Sequence, residues 1–234
     1  ARHTRDVYVG VVSLDAGGRS VLESWGQPHL CWIGSLAWDP AVGGLWLGCE
    51  YEPRLHFLGI DPWELRATLE LPPPADLSAL ALGTGPAAGR LFAVSFWHGQ
   101  DLLRIRTDPP VLEARAALGG AAYDVVYDPT VDRVFVSAYL ESRVRVASGV
   151  DLAALPSIPT GLGTRALALD PERGLLLASS VYDGVVLAVD TASGEILARL
   201  PVGGHVKDIA LDAEAGLAWF TSRCGLFELE LGRV

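Results

Sequence analysis

Methionine and asparagine are absent from the 234-residue chain, and lysine occurs once, at Lys207. All three have AT-rich codons, while Ala, Gly, Leu, Pro and Arg abound, so the gap reads as the codon bias of a GC-rich genome. Thermal adaptation, which also depletes Asn and Met, is the rival reading. Without Asn, any family whose site requires an asparagine is disfavoured. Positive charge is scarce: 18 Lys and Arg stand against 28 Asp and Glu, a formal net charge of −10. The arginines are scattered, so there is no basic footprint to displace counterions from nucleic acid, and an anionic membrane surface is disfavoured too. Long apolar runs are also missing. Half of the residues are hydrophobic, but Gly, Pro or a charge interrupts every run well before the ~20 residues a membrane helix needs, so no membrane insertion is expected. Cysteine is limited to Cys31, Cys49 and Cys224. The odd number excludes full intramolecular pairing, and there is no CxxC. A disulfide from Cys31 to Cys49 or to Cys224, and three inert thiols, are both compatible with the sequence. No signal peptide is visible and the chain does not begin with Met, which reads as a processed form or a fragment.

What is present is repetition. "SLAWDPAVGGLWLGC" begins at Ser35, "DVVYDPTVDRVFVSA" at Asp124, "ALALDPERGLLLASS" at Ala166 and "DIALDAEAGLAWFTS" at Asp208. Each is an apolar alternation, an Asp, a short turn and a second apolar strand. The marker residues Asp128, Asp170 and Asp212 are spaced 42 apart, and Asp39 precedes Asp128 by 89, about two periods. The missing copy, "ALALGTGPAAGRLFAVS", begins at Ala79, with Gly83 in place of the Asp. In the best-preserved copy, strands are expected at 166–169, 175–179, 185–189 and 196–200. Turn chemistry separates them: Pro presets φ, Gly permits positive φ and Asp caps. Four short strands per period of about 40–45 residues is the signature of a β-propeller blade. The expected fold is therefore all-β: one propeller domain over 1–234, with five four-stranded blades starting near 35, 79, 124, 166 and 208. Residues 1–34 supply closing strands. In this reading 19–25 completes the truncated last blade, which removes an exposed edge. Residues 7–14 are left over, and six blades with one degenerate member is the alternative.

The stretches 166–203, 208–222 and 124–138 resemble YVTN-type, YncE-like β-propeller repeats, and more loosely NHL repeats. The shared pattern is apolar strand, Asp, Gly-containing turn, strand, polar corner, strand, Asp-x-x-x-Gly, strand; the family's own tetrapeptide is absent. The resemblance implies the fold rather than an activity. Its members are commonly seven-bladed and often extracytoplasmic, so an extracytoplasmic location, periplasmic or secreted, is expected.

In a propeller, turns between first and second strands share a face with turns between third and fourth strands. Here these are generic Asp-Pro-Glu-Arg-Gly and Thr-Ala-Ser-Gly pieces. Second-to-third turns and blade-to-blade links share the other face, and aromatic and charged residues concentrate there. Loop-borne residues of this kind on a rigid scaffold are where binding sits. The expected function is a binding scaffold for a small polar or anionic ligand or a protein partner. Its candidate contacts are Trp32, Trp97, His98, Tyr123, Asp124, Tyr139, Arg165, Tyr182, Asp183, His205 and Lys207. The aromatics would stack, Arg165, His205 and Lys207 would hold an anionic group, and Asp124 would accept hydrogen bonds. A lyase or hydrolase on the same face is the alternative, drawing on His98, His205 and Glu141 for acid–base chemistry. A metal set of His29, Cys31, His98, His205 and Cys224 has suitable residue types but no ligand spacing, and no cofactor is expected. The sequence leaves the oligomeric state open.

Overall fold

The computed structural model describes residues 6–14 and 20–28 as backbone, together with residues 30–96 and 99–233. Two N-terminal strands, β1 (Asp6–Leu14) and β2 (Ser20–Pro28), precede five sheets that follow one another in chain order. Blade 1 holds β3 (Ile33–Asp39), β4 (Gly44–Cys49), β5 (Arg54–Ile60) and β6 (Trp63–Glu70). Blade 2 holds β7 (Leu77–Leu82), β8 (Arg90–Ser95), β9 (Asp101–Thr107) and β10 (Pro110–Ala117). Blade 3 holds β11 (Ala122–Asp128), β12 (Arg133–Ala138), β13 (Arg143–Ser148) and β14 (Ala154–Pro159). Blade 4 holds β15 (Thr164–Asp170), β16 (Leu175–Ser180), β17 (Val185–Asp190) and β18 (Ile196–Pro201). Blade 5 holds three strands, β19 (Asp208–Asp212), β20 (Leu217–Ser222) and β21 (Gly225–Glu230). Every sheet is an antiparallel meander in sequence order, and the fold is a β-propeller.

The marker aspartates hold the β-turns between first and second strands, as turn caps. Asp39 accepts the Ala41 N–H and the Trp46 indole N–H, each at 3.1 Å. Asp128 accepts the Thr130 N–H at 2.8 Å and its hydroxyl at 2.6 Å. Asp170 accepts the Arg173 N–H at 3.1 Å and a guanidinium N–H at 2.6 Å, and Asp212 accepts the Ala215 N–H at 2.8 Å. Such caps satisfy turn donors that strand pairing leaves over. Blade 2, with Gly83 at that position, closes its longer turn through a 3-10 turn at Gly85–Ala87.

Strand alternation explains how the blades stack. Along β8, Leu91 and Ala93 face blade 1, where they meet Trp46 and Phe57, while Phe92 and Val94 face blade 3 and meet Val134 and Val136. Along β12 the intervening Phe135 turns to Leu176 and Ala178 of blade 4. Along β16, Leu175 and Leu177 turn to Ala218 and Phe220 of blade 5. A middle strand apolar on both faces is thus shared between two cores, which is why these strands read as continuous apolar runs. The first strands touch in series, β3 to β7 to β11 to β15 to β19. Blades 1 and 5 make no comparable contact among the described residues.

The N-terminal closure differs from expectation. Among the described residues β2 does not extend blade 5. It pairs along its whole length with β1, Asp6 opposite Pro28 through Leu14 opposite Ser20, so the two form a sheet of their own and blade 5 shows three strands among the described residues. A hairpin satisfies both strands locally, whereas docking on β21 would bring together segments some 200 residues apart, with a larger loop-closure entropy.

Candidate functional site

Turns β8–β9, β12–β13 and β16–β17, the start of β11 and the link entering blade 5 bring five rings into one row. Phe96 follows β8 and meets Tyr123 edge-on at 5.3 Å between centroids and Tyr139 at 6.2 Å. Tyr123 and Tyr139 lie 6.0 Å apart, Tyr139 and Tyr182 6.1 Å, and Tyr182 meets His205 edge-on at 6.3 Å. These spacings suit the quadrupole of aromatic rings. The Tyr139 and Tyr182 hydroxyls are 3.1 Å apart, and that hydrogen bond, with burial, raises the Tyr139 phenol above its ordinary range. Arg165 lies over the Tyr123 ring, its guanidinium carbon 4.1 Å from the centroid, and donates to the Tyr123 hydroxyl. The buried Arg165 Nε has no hydrogen-bond partner among the described residues. Tyr182 is 55% exposed, so the row opens to solvent.

Local backbone fixes these positions. His205 adopts φ 60°, and its N–H donates to the Val181 carbonyl at 2.8 Å, tying the link into blade 5 to the turn that carries Tyr182. Gly163 has φ +81°, and a Cβ there would stand 2.6 Å from the Tyr182 ring. Only glycine combines that conformation with room for the tyrosine.

Other candidate residues serve the scaffold. Asp183 accepts the Leu162 N–H at 2.9 Å and the Ser180 hydroxyl at 3.1 Å, so it ties the β16–β17 turn to the link that enters blade 4. Glu141 is held by Arg145 at 2.5 Å and Arg143 at 3.6 Å, which removes it from the row as a free acid. Asp124 accepts the Val125 and Leu167 N–H groups, both at 2.8 Å, and so bridges blades 3 and 4. Trp32 meets Tyr51 edge-on at 6.4 Å on blade 1. Lys207 and Asp208 are exposed at the start of blade 5. Trp97, His98 and His29 lie outside the described residues.

Of the metal set suggested by residue type, Cys31, Cys224 and His205 are described, and they do not form a cluster among the described residues. Cys31 forms a disulfide with Cys49, so its sulfur is not a free thiolate; Cys224 is a free, exposed cysteine; and His205 stands in the aromatic row. The sequence reading also passed over Phe96. By repeat alignment it follows the second strand of its blade as Tyr139 and Val181 follow theirs, so its match to Tyr139 is the signal that marks it, and the buried Val181 in the third copy is what obscures it.

Burial drives the Asp124 carboxyl up to about 6, against the lowering effect of its two amide donors; the Asp208 charge adds to the rise. A raised folded-state value favours the fold at low pH, fully below the unfolded value near 3.8, and the benefit is lost as pH rises through about 6. The expected result is that stability relative to Asp124→Asn falls between pH 4 and pH 6, by roughly 1–3 kcal/mol at about 1.4 kcal/mol per pH unit. Urea unfolding of both proteins across that range checks the slope; a flat difference overturns the assignment.

No family model matches the chain, and no curated protein matches it in sequence. Among solved structures it is similar to hydrazine synthase from Kuenenia stuttgartiensis, with a TM-score of 0.71 and 14% sequence identity. The match covers 80% of this chain and 55% of that one, so the chain spans little more than half the length of its structural neighbour. At this identity the likeness is one of fold.

Proposed function

We propose that the row Phe96–Tyr123–Tyr139–Tyr182–His205, with Arg165 on its flank, binds a small polar ligand carrying an anionic group. The observation that carries this reading is the stacked Arg165, whose buried Nε has no partner among the described residues. A guanidinium held over an aromatic ring is a preorganised anion receptor, and the rings beside it offer apolar faces to the rest of the ligand. The propeller fold is consistent with a scaffold of this kind. The lyase or hydrolase alternative is weakened, because Glu141 is tied to Arg145. The YVTN-type repeat resemblance and the Cys31–Cys49 disulfide support an extracytoplasmic location, since disulfides persist in oxidising compartments.

The test is a thermal-shift screen of uronic acids, aromatic carboxylates and their neutral counterparts. A ligand of the native state raises the melting temperature. Acids are expected to shift it and neutral counterparts to do so less. Arg165→Ala should weaken acid binding roughly ten- to hundredfold, the loss of one charge-assisted hydrogen bond, and leave neutral binding nearly unchanged. Equal shifts in wild type and a Tyr139→Ala/Tyr182→Ala variant would place the ligand elsewhere and sink the proposal.

A further inference from the structure

Away from the aromatic row, on the face of blade 1 turned from blade 2, three metal-ligating side chains converge. Cys31 lies in the segment before β3, Cys49 ends β4, and His56 lies in β5 beside β4, with Leu47 opposite it in register. Both sulfurs and one imidazole nitrogen lie within 4.8 Å of one another. His56 is 4% exposed and Cys49 fully buried. His56 Nδ1 is 2.8 Å from the Thr68 hydroxyl, while Nε2 is buried with no hydrogen-bond partner among the described residues. A buried ring nitrogen normally finds a partner. A buried, unpartnered nitrogen on a ring that lies against two sulfurs and is held from Nδ1 is what a metal ligand with its outer support looks like.

We propose that Cys31, Cys49 and His56 form a thiol-gated Zn²⁺ site, closed as the disulfide when oxidised and filled when reduced. Donation from Nδ1 to Thr68 leaves the Nε2 lone pair for the metal. Tetrahedral zinc holds sulfur at about 2.3 Å and nitrogen at about 2.0–2.1 Å, which spaces ligand atoms roughly 3.5–3.8 Å apart. Once the disulfide is broken, the sulfurs need only part to that spacing. Charge favours a divalent ion: two thiolates and a neutral imidazole cancel Zn²⁺, so no net charge is left in a buried place. Thiolate softness disfavours Mg²⁺ and Ca²⁺. Three protein ligands leave a fourth position open, on the side of the partly exposed Cys31.

The chemistry balances with a phosphine reductant. The disulfide takes two electrons, the phosphine becomes its oxide with oxygen from water, and two thiols form. Zn²⁺ then replaces the two thiol protons, which are released. Re-oxidation by a small disulfide passes both electrons from the two thiolates to that disulfide, whose S–S bond breaks to give two thiolates that take up protons, while the Cys31–Cys49 bond forms again and Zn²⁺ is released.

The full chain, reduced and freed of reductant under anaerobic conditions, is titrated with Zn²⁺ against a chromophoric chelator, and separately with Co²⁺. One Zn²⁺ per reduced chain, far weaker uptake by the oxidised chain, and a thiolate-to-Co²⁺ charge-transfer band are expected. Thr68→Val should weaken uptake about ten- to hundredfold, as loss of an outer partner does, and His56→Gln at least as much. Cys224→Ser should change nothing. No uptake by the reduced chain, uptake indifferent to oxidation or to Cys31→Ser/Cys49→Ser, or a Co²⁺ complex without thiolate absorption overturns the site. If His56→Gln does not fold, the wild-type Co²⁺ spectrum and the oxidised-against-reduced comparison still decide.

Discussion

Replacing Phe135 by alanine is expected to destabilise the fold by about 3–5 kcal/mol, measured as a fall in the urea midpoint. Phe135 is fully buried on the middle strand of blade 3 and projects into the core shared with Leu176, Ala178 and Leu187 of blade 4. Neither blade can follow a deleted ring without pulling away from its other neighbour, because β12 also presents Val134 and Val136 to blade 2. The cavity therefore stays open, and the loss combines transfer and cavity costs. Against a typical domain stability of about 5–15 kcal/mol, one such change takes a large share. Leu140→Ala, at a residue 69% exposed, should move stability by less than about 0.5 kcal/mol. If the two variants behave alike, the blade 3–blade 4 interface described above is wrong.

Removing the Cys31–Cys49 disulfide should have the next largest effect. It joins residues 18 apart in sequence, and closing a loop of about 15 residues lowers the unfolded-state entropy by an amount worth about 3 kcal/mol. For a chain of this length that corresponds to a fall in melting temperature of roughly 6–12 °C. The Cys31→Ala/Cys49→Ala variant measured by calorimetry under non-reducing conditions checks it, with Cys224→Ser as a near-neutral control. Added Zn²⁺ gives the two disulfide-free forms different outcomes. The reduced wild type, which keeps its thiols, should recover part of the lost stability through metal linkage, and the alanine variant should recover none.

The repeat was legible because it is local. Asp170-Pro171 and the Gly174 turn, and the strands on either side, are specified within a dozen residues, and the observed strands Leu175–Ser180 and Val185–Asp190 differ from the expected ones by a single residue. The face on which Tyr123, Tyr139, Arg165, Tyr182 and His205 sit was legible for the same reason, since position within the period decides which end of the blade a turn occupies. Which of those residues touch was not. Tyr139 and Tyr182 are 43 residues apart, Arg165 and Tyr123 are 42 apart, and both contacts depend on how adjacent blades twist and stack. Asp183 and Glu141 look the same in sequence as Asp124, yet Asp183 ties its turn to the link entering blade 4, Glu141 pairs with Arg145, and Asp124 joins the first strands of blades 3 and 4.

By itself, then, the sequence determined the blade unit, its turns, its shared apolar middle strands and the face that gathers aromatic side chains. All of these follow from periods of two residues and of 42, which short-range turn chemistry and strand alternation enforce. Only the tertiary structure decided that β2 pairs with β1 and that Cys31 selects Cys49 and meets His56. Those outcomes depend on strand register and on contacts between segments that no repeat relates, where a shift of one residue reverses the face a side chain presents.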